Sequence, residues 1–185
     1  PRPSAAPMIA GLRETGIDRI VMLTGDQPQA ARAIAAQVGI DEVHAGLLPE
    51  QKLELIRRMR AEGSHVAMIG DGINDAPALA RADIGIAMGA KGSDAAIESA
   101  DVAFTGDDLR LIPRALRHAR RGRAIINQNI VLSLAIIIVL LPLAITGVLG
   151  LAAVVLVHEV AEVIVIANGL RAARTKHLDL KPVER

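Results

Sequence analysis

The feature that most restricts the fold of this chain is a run of twenty residues without a charged side chain, Ile130 to Leu149 (IVLSLAIIIVLLPLAITGVL). About 20 apolar residues are needed for a helix to cross the hydrocarbon core of a bilayer. The alternative is a buried helix of a soluble core, but twenty uncharged residues are too many for a domain this small. We therefore expect a membrane-spanning helix, in which Pro142 is tolerated.

A second apolar run, Leu151 to Leu170, follows after a short link around Gly147 and Gly150, which predicts a tight helical hairpin. Because Lys and Arg mark the cytoplasmic side, we expect both ends of the hairpin inside and the short link outside. We divide the chain into a soluble domain (1–123), a transmembrane hairpin (124–174) and a polar cytoplasmic tail (175–185). The basic residues that flank the hairpin are Arg114, Arg117, Arg120, Arg121, Arg123, Arg171, Arg174 and Lys176.

The composition argues against several other classes of protein. The net charge is only +1, whereas nucleic-acid binders usually have a strong basic excess. Phe104 is the only aromatic residue in the sequence, so base stacking is not expected, and we predict no nucleic-acid partner. The sequence contains no cysteine, which excludes disulfides and thiolate metal sites within these residues.

The first 110 residues alternate between strand and helix patterns. This alternation predicts a parallel sheet with helices on both faces and a functional site at the carboxyl ends of the strands. The predicted strands are 19–23, 42–45, 65–69, 83–87 and 101–104, and the clearest helices run from Pro28 to Val38 and from Pro49 to Glu62.

Two short motifs lie at the ends of predicted elements, the first after a strand and the second at the start of a helix. TGDQ (24–27) ends the first strand, where Thr24 offers a hydroxyl and Gly25 allows a ligand to approach the backbone. The helix start that follows favours an anion, although Asp26 as a simple N-cap is an alternative reading. In PEQK (49–52), Lys52 lies in the first helical turn, where the helix dipole disfavours a cation, so a partner for it is expected. A solvated surface lysine is the alternative.

The third motif, GDGIND (70–75), follows the buried strand HVAMI. Asp71 and Asp75 supply hard oxygen ligands that suit Mg²⁺, which binds proteins through one or two carboxylates plus substrate phosphate. The glycines leave space for that phosphate, and Asn74 adds a neutral hydrogen-bonding group. We expect the three motifs to share one edge of one sheet, and such a set suits phosphoryl transfer.

MLTGD, LPEQK and GDGINDAPAL, followed by an apolar hairpin, resemble the C-terminal part of P-type cation ATPases. ADIGIAMG, ESADVAF and RRGRAIINQN are similar to the heavy-metal-transporting branch, and the resemblance extends from Pro3 to Arg174. It implies an α/β fold, with a haloacid dehalogenase-like parallel sheet and flanking helices followed by the two-helix transmembrane hairpin. It also implies a multi-pass protein of the cell membrane whose soluble domain is cytoplasmic.

The resemblance further implies roles for the motif residues, with Mg²⁺ and ATP as cofactors. Thr24, beside Gly25, would contact the phosphoryl group, and Asp26 would support catalysis. Lys52 would neutralise the phosphoryl oxygens. Asp71 would ligate Mg²⁺, and Asn74 and Asp75 would complete the phosphate and metal site.

One departure from the family pattern is important. The nucleophile of the family is the aspartate of a DKTGT motif, and that motif does not occur in these 185 residues. The nucleotide-binding domain, the earlier membrane helices and any Cys-Pro-Cys-like motif lie upstream in the family. We therefore expect this chain to work with the upstream part of the same pump and to form no phosphoenzyme alone.

The second apolar run contains three ionisable residues, which are costly in a membrane and usually functional. His158 and Glu162 are four residues apart and share one helix face, and Glu159 lies about 100° away. An imidazole with carboxylates suits zinc, cobalt or a similar divalent ion, with cadmium or another divalent ion as an alternative. Structural pairing with other helices is the alternative role.

Four hypotheses remain at this point. The first is ATP-driven export of a divalent transition metal through an aspartyl-phosphate formed on another segment. The second is a membrane-tethered phosphatase of the same superfamily, and the third is a truncated, non-catalytic membrane protein that binds metal or a partner pump. A potassium-transporting relative shares GDGIND but fits His158 and Glu159 poorly.

Overall fold

The computed structural model describes residues 1–71, 73–89 and 97–173, and the chain forms two compact units. The first unit comprises Pro1–Arg114, and the second begins at Ala115. The predicted limits at residues 123 and 174 were drawn from composition and remain predictions. Gly72 of GDGIND, the flanking Arg174 and Lys176, and the predicted tail lie outside the described residues.

The first unit confirms the alternation of strands and helices. Helix α2 has the predicted bounds because Pro28 starts it at a position where a missing N–H costs nothing, and Gly39, at φ 85°, ends it in the left-handed conformation. Two short helices, α1 and α4, were not predicted. The elements are α1 Ala5–Glu14, β1 Val21–Leu23, α2 Pro28–Val38, β2 Glu42–His44, α3 Pro49–Ala61, β3 Ala67–Gly70, a 3₁₀ turn Ile73–Asp75, α4 Ala76–Leu79, β4 Ile84–Met88 and β5 Val102–Phe104.

All strand pairs among the described residues are parallel, as predicted, but they form two sheets rather than one. Strand β1 pairs with β2, with Val21 opposite Glu42. Strands β3, β4 and β5 form the second sheet, with Ala67 opposite Ile84 and Ile86 opposite Val102. The expectation of a single sheet differs from the structure because no backbone ladder joins β1 to β3 in the part of the chain described.

An ion pair supports the two-stranded sheet at its start. The Arg19 guanidinium donates two hydrogen bonds of 2.8 Å to the carboxylate of Glu42, and His44 lies 3.2 Å from the same carboxylate. The hydrogen bonds from Arg19 lower the pKa of Glu42 to about 2. The pair is therefore charged at neutral pH, and it ties the residues before β1 to the first residue of β2.

A small hydrophobic core connects the helices to the three-stranded sheet. Ile56 of α3 and Leu79 of α4 are almost fully buried, at 1% and 0% exposure, and they cluster with Met68 of β3. Leu23, the last residue of β1, packs against this cluster. Apolar burial therefore joins the two sheets where hydrogen bonds do not.

The second unit contains two helices that are long and apolar enough to cross a membrane. Helix α5 comprises Leu111–Ile145, which includes the basic segment before the apolar run, and helix α6 comprises Leu151–Ala173. The predicted first span ended at Leu149, whereas the helix ends four residues earlier. The chain turns there because Thr146 closes onto the carbonyl of Pro142 and Gly147 adopts φ 72°.

A substitution at Gly85 of β4 tests how closely α4 packs on the sheet. A Cβ atom at this position would lie 2.7 Å from the backbone oxygen of Leu79. Because a backbone atom cannot rotate away, we expect Gly85→Ala to destabilise the first unit by about 1–3 kcal/mol. Hydrogen exchange of the β3 and β4 amides in detergent micelles measures this loss.

Gly106→Ala is the matched control, since its added Cβ would meet only the flexible Leu111 side chain, at 4.0 Å. Equal exchange rates in the two variants would contradict the close approach of α4 and β4.

Candidate functional site

The TGD loop closes on itself directly after β1. The Thr24 hydroxyl donates to Asp26 Oδ2 at 2.9 Å, and the Asp26 N–H donates back to that hydroxyl oxygen at 3.1 Å. Asp26 is not the N-cap of α2, because Gln27 holds that position and Pro28 is the first helical residue. The Asp26 carboxylate is therefore directed to Thr24 rather than to the helix, which removes the simple capping alternative.

Backbone hydrogen bonds fasten this loop to the segment that starts α3. The Leu47 N–H donates to the Thr24 carbonyl at 3.0 Å, and the Gly46 N–H donates to the Asp26 carbonyl at 2.8 Å. A Cβ at Gly25 would lie 3.3 Å from the Leu47 oxygen, so a small residue suits this approach. The first two motifs are thus held together by the main chain.

Lys52, in the first turn of α3, is bonded to the third motif. Its Nζ lies 2.8 Å from Asp75 Oδ1, and the two side chains are only 14% and 16% exposed. The expected partner for this lysine is therefore Asp75, whose negative charge offsets the unfavourable helix dipole. The surface-lysine alternative is wrong for Lys52.

The glycine that opens GDGIND makes room for this pair. A Cβ at Gly70 would lie 2.7 Å from Asp75 Cβ and 3.0 Å from Asp75 Oδ2. The chain leaves β3 at Gly70 and returns through the 3₁₀ turn, which brings the Asp75 side chain against the end of the strand. Asn74, in the same turn, is exposed.

Asp71 has a different partner, which the sequence did not indicate. The Arg2 guanidinium donates to Asp71 Oδ2 at 2.8 Å, and the two side chains are 39% and 58% exposed. The two residues are 69 positions apart, so no local pattern could have revealed the contact. Each predicted magnesium ligand is therefore bonded to one cation, Asp71 to Arg2 and Asp75 to Lys52.

Asp71 and Asp75 supply the hard carboxylate oxygens that Mg²⁺ prefers as ligands. Within the described residues, no group of three His, Cys, Asp or Glu side chains is gathered as a metal site. Mg²⁺ in proteins usually takes one or two carboxylates plus phosphate oxygens and water, so two carboxylates are enough as the protein ligands. The half-exposed Asp71 leaves access for such ligands.

The three ionisable residues of α6 all lie at the helix surface. His158, Glu159 and Glu162 are exposed. Asn168, which bonds to α5, lies nine residues from Glu159, or two and a half helical turns, so the two side chains project on opposite sides of α6. Glu159 is therefore directed away from α5.

A polar network joins α5 and α6 at the end opposite the short turn. The Asn168 side chain donates to Asn129 Oδ1 at 2.8 Å, and the Asn129 side chain donates to the Val165 carbonyl at 3.2 Å. Arg171 donates to Asn168 Oδ1 at 2.7 Å. The pairing of these asparagines depends on how the two helices align, so no local sequence pattern indicates it.

Similarity to a known protein family defines the class of the first unit. Residues 1–83 match the family model of the haloacid dehalogenase-like hydrolases. The parallel strands, with carboxylates and a lysine beyond their carboxyl ends, agree with that class. The predicted fold class is thereby confirmed.

Relatives of known name identify the family. The chain is 63% identical to a probable cation-transporting ATPase G of Mycobacterium tuberculosis over 177 residues, which are 96% of this chain and 23% of that protein. It is 46% identical to a probable cadmium-transporting ATPase of Listeria monocytogenes, covering 95% of this chain and 25% of that protein. A crystal structure of a zinc-transporting PIB-type ATPase in the E2·Pi state matches with a TM-score of 0.86 at 43% identity, covering 94% of this chain and 28% of that one.

The chain belongs to the cation-transporting P-type ATPases. It spans about a quarter of the length of these relatives. It is accordingly a membrane protein with a cytoplasmic soluble domain, and its two apolar helices follow that domain.

The asparagine pair allows a direct test of how α5 and α6 are joined. We expect a double-mutant cycle of Asn129→Ala and Asn168→Ala to give a coupling energy of about 0.5–1.5 kcal/mol, as for other hydrogen bonds between membrane helices. Unfolding in mixed detergent micelles with increasing SDS measures the four free energies. Asn127→Ala is the control, since Asn127 is exposed and lies two residues before Asn129. We expect it to show no coupling to Asn168→Ala. Additive effects of Asn129 and Asn168 would contradict the contact.

Proposed function

We propose that this chain is part of a pump that couples ATP hydrolysis, through an aspartyl-phosphate, to export of a divalent transition metal of the zinc, cadmium or cobalt type. The observation that best supports this function is the mostly buried Lys52–Asp75 pair, fastened through α3 to the TGD loop. A lysine, a hydroxyl and two carboxylates beyond parallel strands form a set suited to phosphoryl transfer, which depends on positioning and charge neutralisation.

In this proposal the residues of the site exchange partners when a phosphoryl group arrives. Asp71 and Asp75 would hold Mg²⁺, which neutralises charge on the phosphate when it is bound. Lys52 would move its ammonium group from Asp75 to the phosphoryl oxygens. The Thr24 hydroxyl, oriented by Asp26, would donate a hydrogen bond to the same group, and Asn74 would contact it from the exposed turn.

The nucleophile would come from a segment outside these 185 residues. Among the described residues, β1 pairs only with β2, and β3 pairs only with β4, so each has one unpaired edge. We propose that a parallel strand fits between these edges, with the nucleophilic aspartate at its carboxyl end. An aspartate oxygen would attack the γ-phosphorus of ATP while the bond to ADP breaks. Water would later release the phosphate.

The transported ion would be held partly by α6. The names of two relatives specify cadmium and zinc. The His158 imidazole with the Glu159 and Glu162 carboxylates offers nitrogen and oxygen ligands that suit such ions. Glu159 is directed away from α5, so remaining ligands would come from other helices of the pump in the bilayer.

Lys52 gives the sharpest test of the catalytic proposal. In the full-length polypeptide that contains this chain, we expect Lys52→Ala to lower metal-stimulated ATP hydrolysis by about 10²–10³-fold, because phosphoryl charge loses its fixed cation. Arg58→Ala removes a cation from the same helix, where it pairs with Glu62 at the surface, and should leave the rate nearly unchanged. An unaltered rate in Lys52→Ala would contradict the proposed role.

The ion site is tested separately from the chemistry. We expect His158→Ala and Glu162→Gln to raise the zinc or cadmium concentration needed for half-maximal ATP hydrolysis by at least about tenfold, since each removes a side chain that would bind the ion directly. Phosphorylation by inorganic phosphate with Mg²⁺ but without zinc or cadmium should persist, because the soluble site is intact. Ser133→Ala in α5 is a polar control within the membrane span. Unchanged metal dependence in both variants would favour a structural role for α6.

A further inference from the structure

The Arg2–Asp71 contact lies at the carboxylate that the proposed function assigns to Mg²⁺. Arg2 Nη2 is 2.8 Å from Asp71 Oδ2, which is hydrogen-bonding distance for a charged pair. A guanidinium in this position occupies one of the two carboxylate oxygens. The function proposed above gives Arg2 no role.

The segment that holds Arg2 is fixed by the fold. The Ala5 N–H donates to the Arg2 carbonyl at 2.9 Å at the start of α1. Ser4 is buried, at 6% exposure, and its hydroxyl oxygen accepts a hydrogen bond of 3.2 Å from the Leu109 N–H. These contacts hold the backbone next to Arg2, so the guanidinium is presented to Asp71 from a defined position.

A divalent cation and a guanidinium compete for the same carboxylate. Mg²⁺ requires closely packed oxygen ligands in an octahedral arrangement, and a positive group hydrogen-bonded to one ligand repels the ion. Arg2 would therefore have to leave Asp71, or shift from it, before the metal is bound. The other carboxylate is in the same situation, because Lys52 is bonded to Asp75.

Arg2 and Lys52 together balance the negative charges of the two carboxylates. Asp71 and Asp75 are only four residues apart in GDGIND, and two unpaired carboxylates held close together would repel each other. Arg2 and Lys52 each supply one positive charge at 2.8 Å. Lys52 is nearly buried, whereas Arg2 is more than one-third exposed and can turn into solvent at little cost.

We propose that Arg2 is an internal competitor of Mg²⁺, a placeholder cation that occupies Asp71 until the metal displaces it. This inference rests on the proposed function, since it assumes that Asp71 is a magnesium ligand. The placeholder lowers the affinity of the free site for divalent ions, so that firm metal binding awaits the phosphate oxygens that complete the coordination shell.

Metal binding itself tests the proposal without any enzymatic activity. The purified 185-residue chain in detergent micelles is titrated with Mn²⁺, a paramagnetic substitute for Mg²⁺, and free Mn²⁺ is followed by electron paramagnetic resonance, with Mg²⁺ as the competing ion. We expect Arg2→Ala to lower the apparent Kd for both ions by about two- to fivefold, the range that corresponds to an exposed ion pair. Arg2→Lys, which keeps the charge, should lie between Arg2→Ala and the original chain.

Arg13→Ala is the matched control. Arg13 also donates to an exposed aspartate, Asp41, at 3.0 Å, and its removal changes the net charge equally. The apparent Kd of Arg13→Ala for both ions should equal that of the original chain. Equal tightening by both substitutions would show a general effect of net charge, and weaker binding in Arg2→Ala would show that Arg2 orients Asp71 for the metal. Either result would overturn the proposal.

Asp71→Asn separates this proposal from the function on which it rests. We expect it to weaken Mn²⁺ binding at least about tenfold, and Arg2→Ala should have no further effect in that background. If Asp71→Asn binds Mn²⁺ as the original chain does, the magnesium site itself is wrong. If Asp71→Asn weakens binding but Arg2→Ala alone changes nothing, only the placeholder role is wrong.

Discussion

The ion pair between Lys52 and Asp75 is the interaction on which the arrangement of the soluble site depends. Both side chains are mostly removed from water, so the loss of either partner would leave a desolvated charge. The pair also fixes geometry, because it joins the first turn of α3 to the 3₁₀ turn after β3. The absence of a side chain at Gly70 is what lets the Asp75 carboxylate lie there.

Main-chain hydrogen bonds extend this connection to the Thr24 loop. Lys52 alone does not fix the position and direction of α3. The backbone N–H groups of Gly46 and Leu47 also donate hydrogen bonds to carbonyls of the loop. The buried Ile56 and Leu79 side chains then hold α3 and α4 against β3. An ion pair, backbone hydrogen bonds and apolar contacts therefore together connect the elements that carry the site, although the strands form two separate ladders.

Sequence patterns predicted those parts of the molecule that depend on local chemistry. Helix α2 was predicted with its bounds because proline and glycine act within one or two residues of themselves. The fold class followed from alternating patterns and motif order. The roles of the predicted site residues remain proposals, but the contact of Lys52 with Asp75 agrees with the expectation that the lysine has a partner.

The features that sequence patterns did not predict depend on contacts between distant parts of the chain. Arg2 and Asp71 meet although they are 69 positions apart, and neither neighbouring sequence contains information on that contact. Asn129 and Asn168 meet because the two membrane helices have one particular alignment. The end of the first span was predicted four residues too late for a related reason, since Gly147 and the Pro142 carbonyl end α5 inside a stretch that is apolar throughout.

Each compact unit contains groups whose physical requirements point to further protein. In the soluble unit, β1 and β3 each have an unpaired edge within the described residues, and such edges favour another strand. In the membrane unit, Glu159 is directed away from α5, and a carboxylate in a bilayer is stable only beside other polar groups or an ion. Backbone hydrogen bonding and charge solvation are independent requirements. Both would be met if a strand with the nucleophile and helices with the remaining metal ligands came from one longer polypeptide, which is why we propose a pump rather than a separate phosphatase or metal-binding protein.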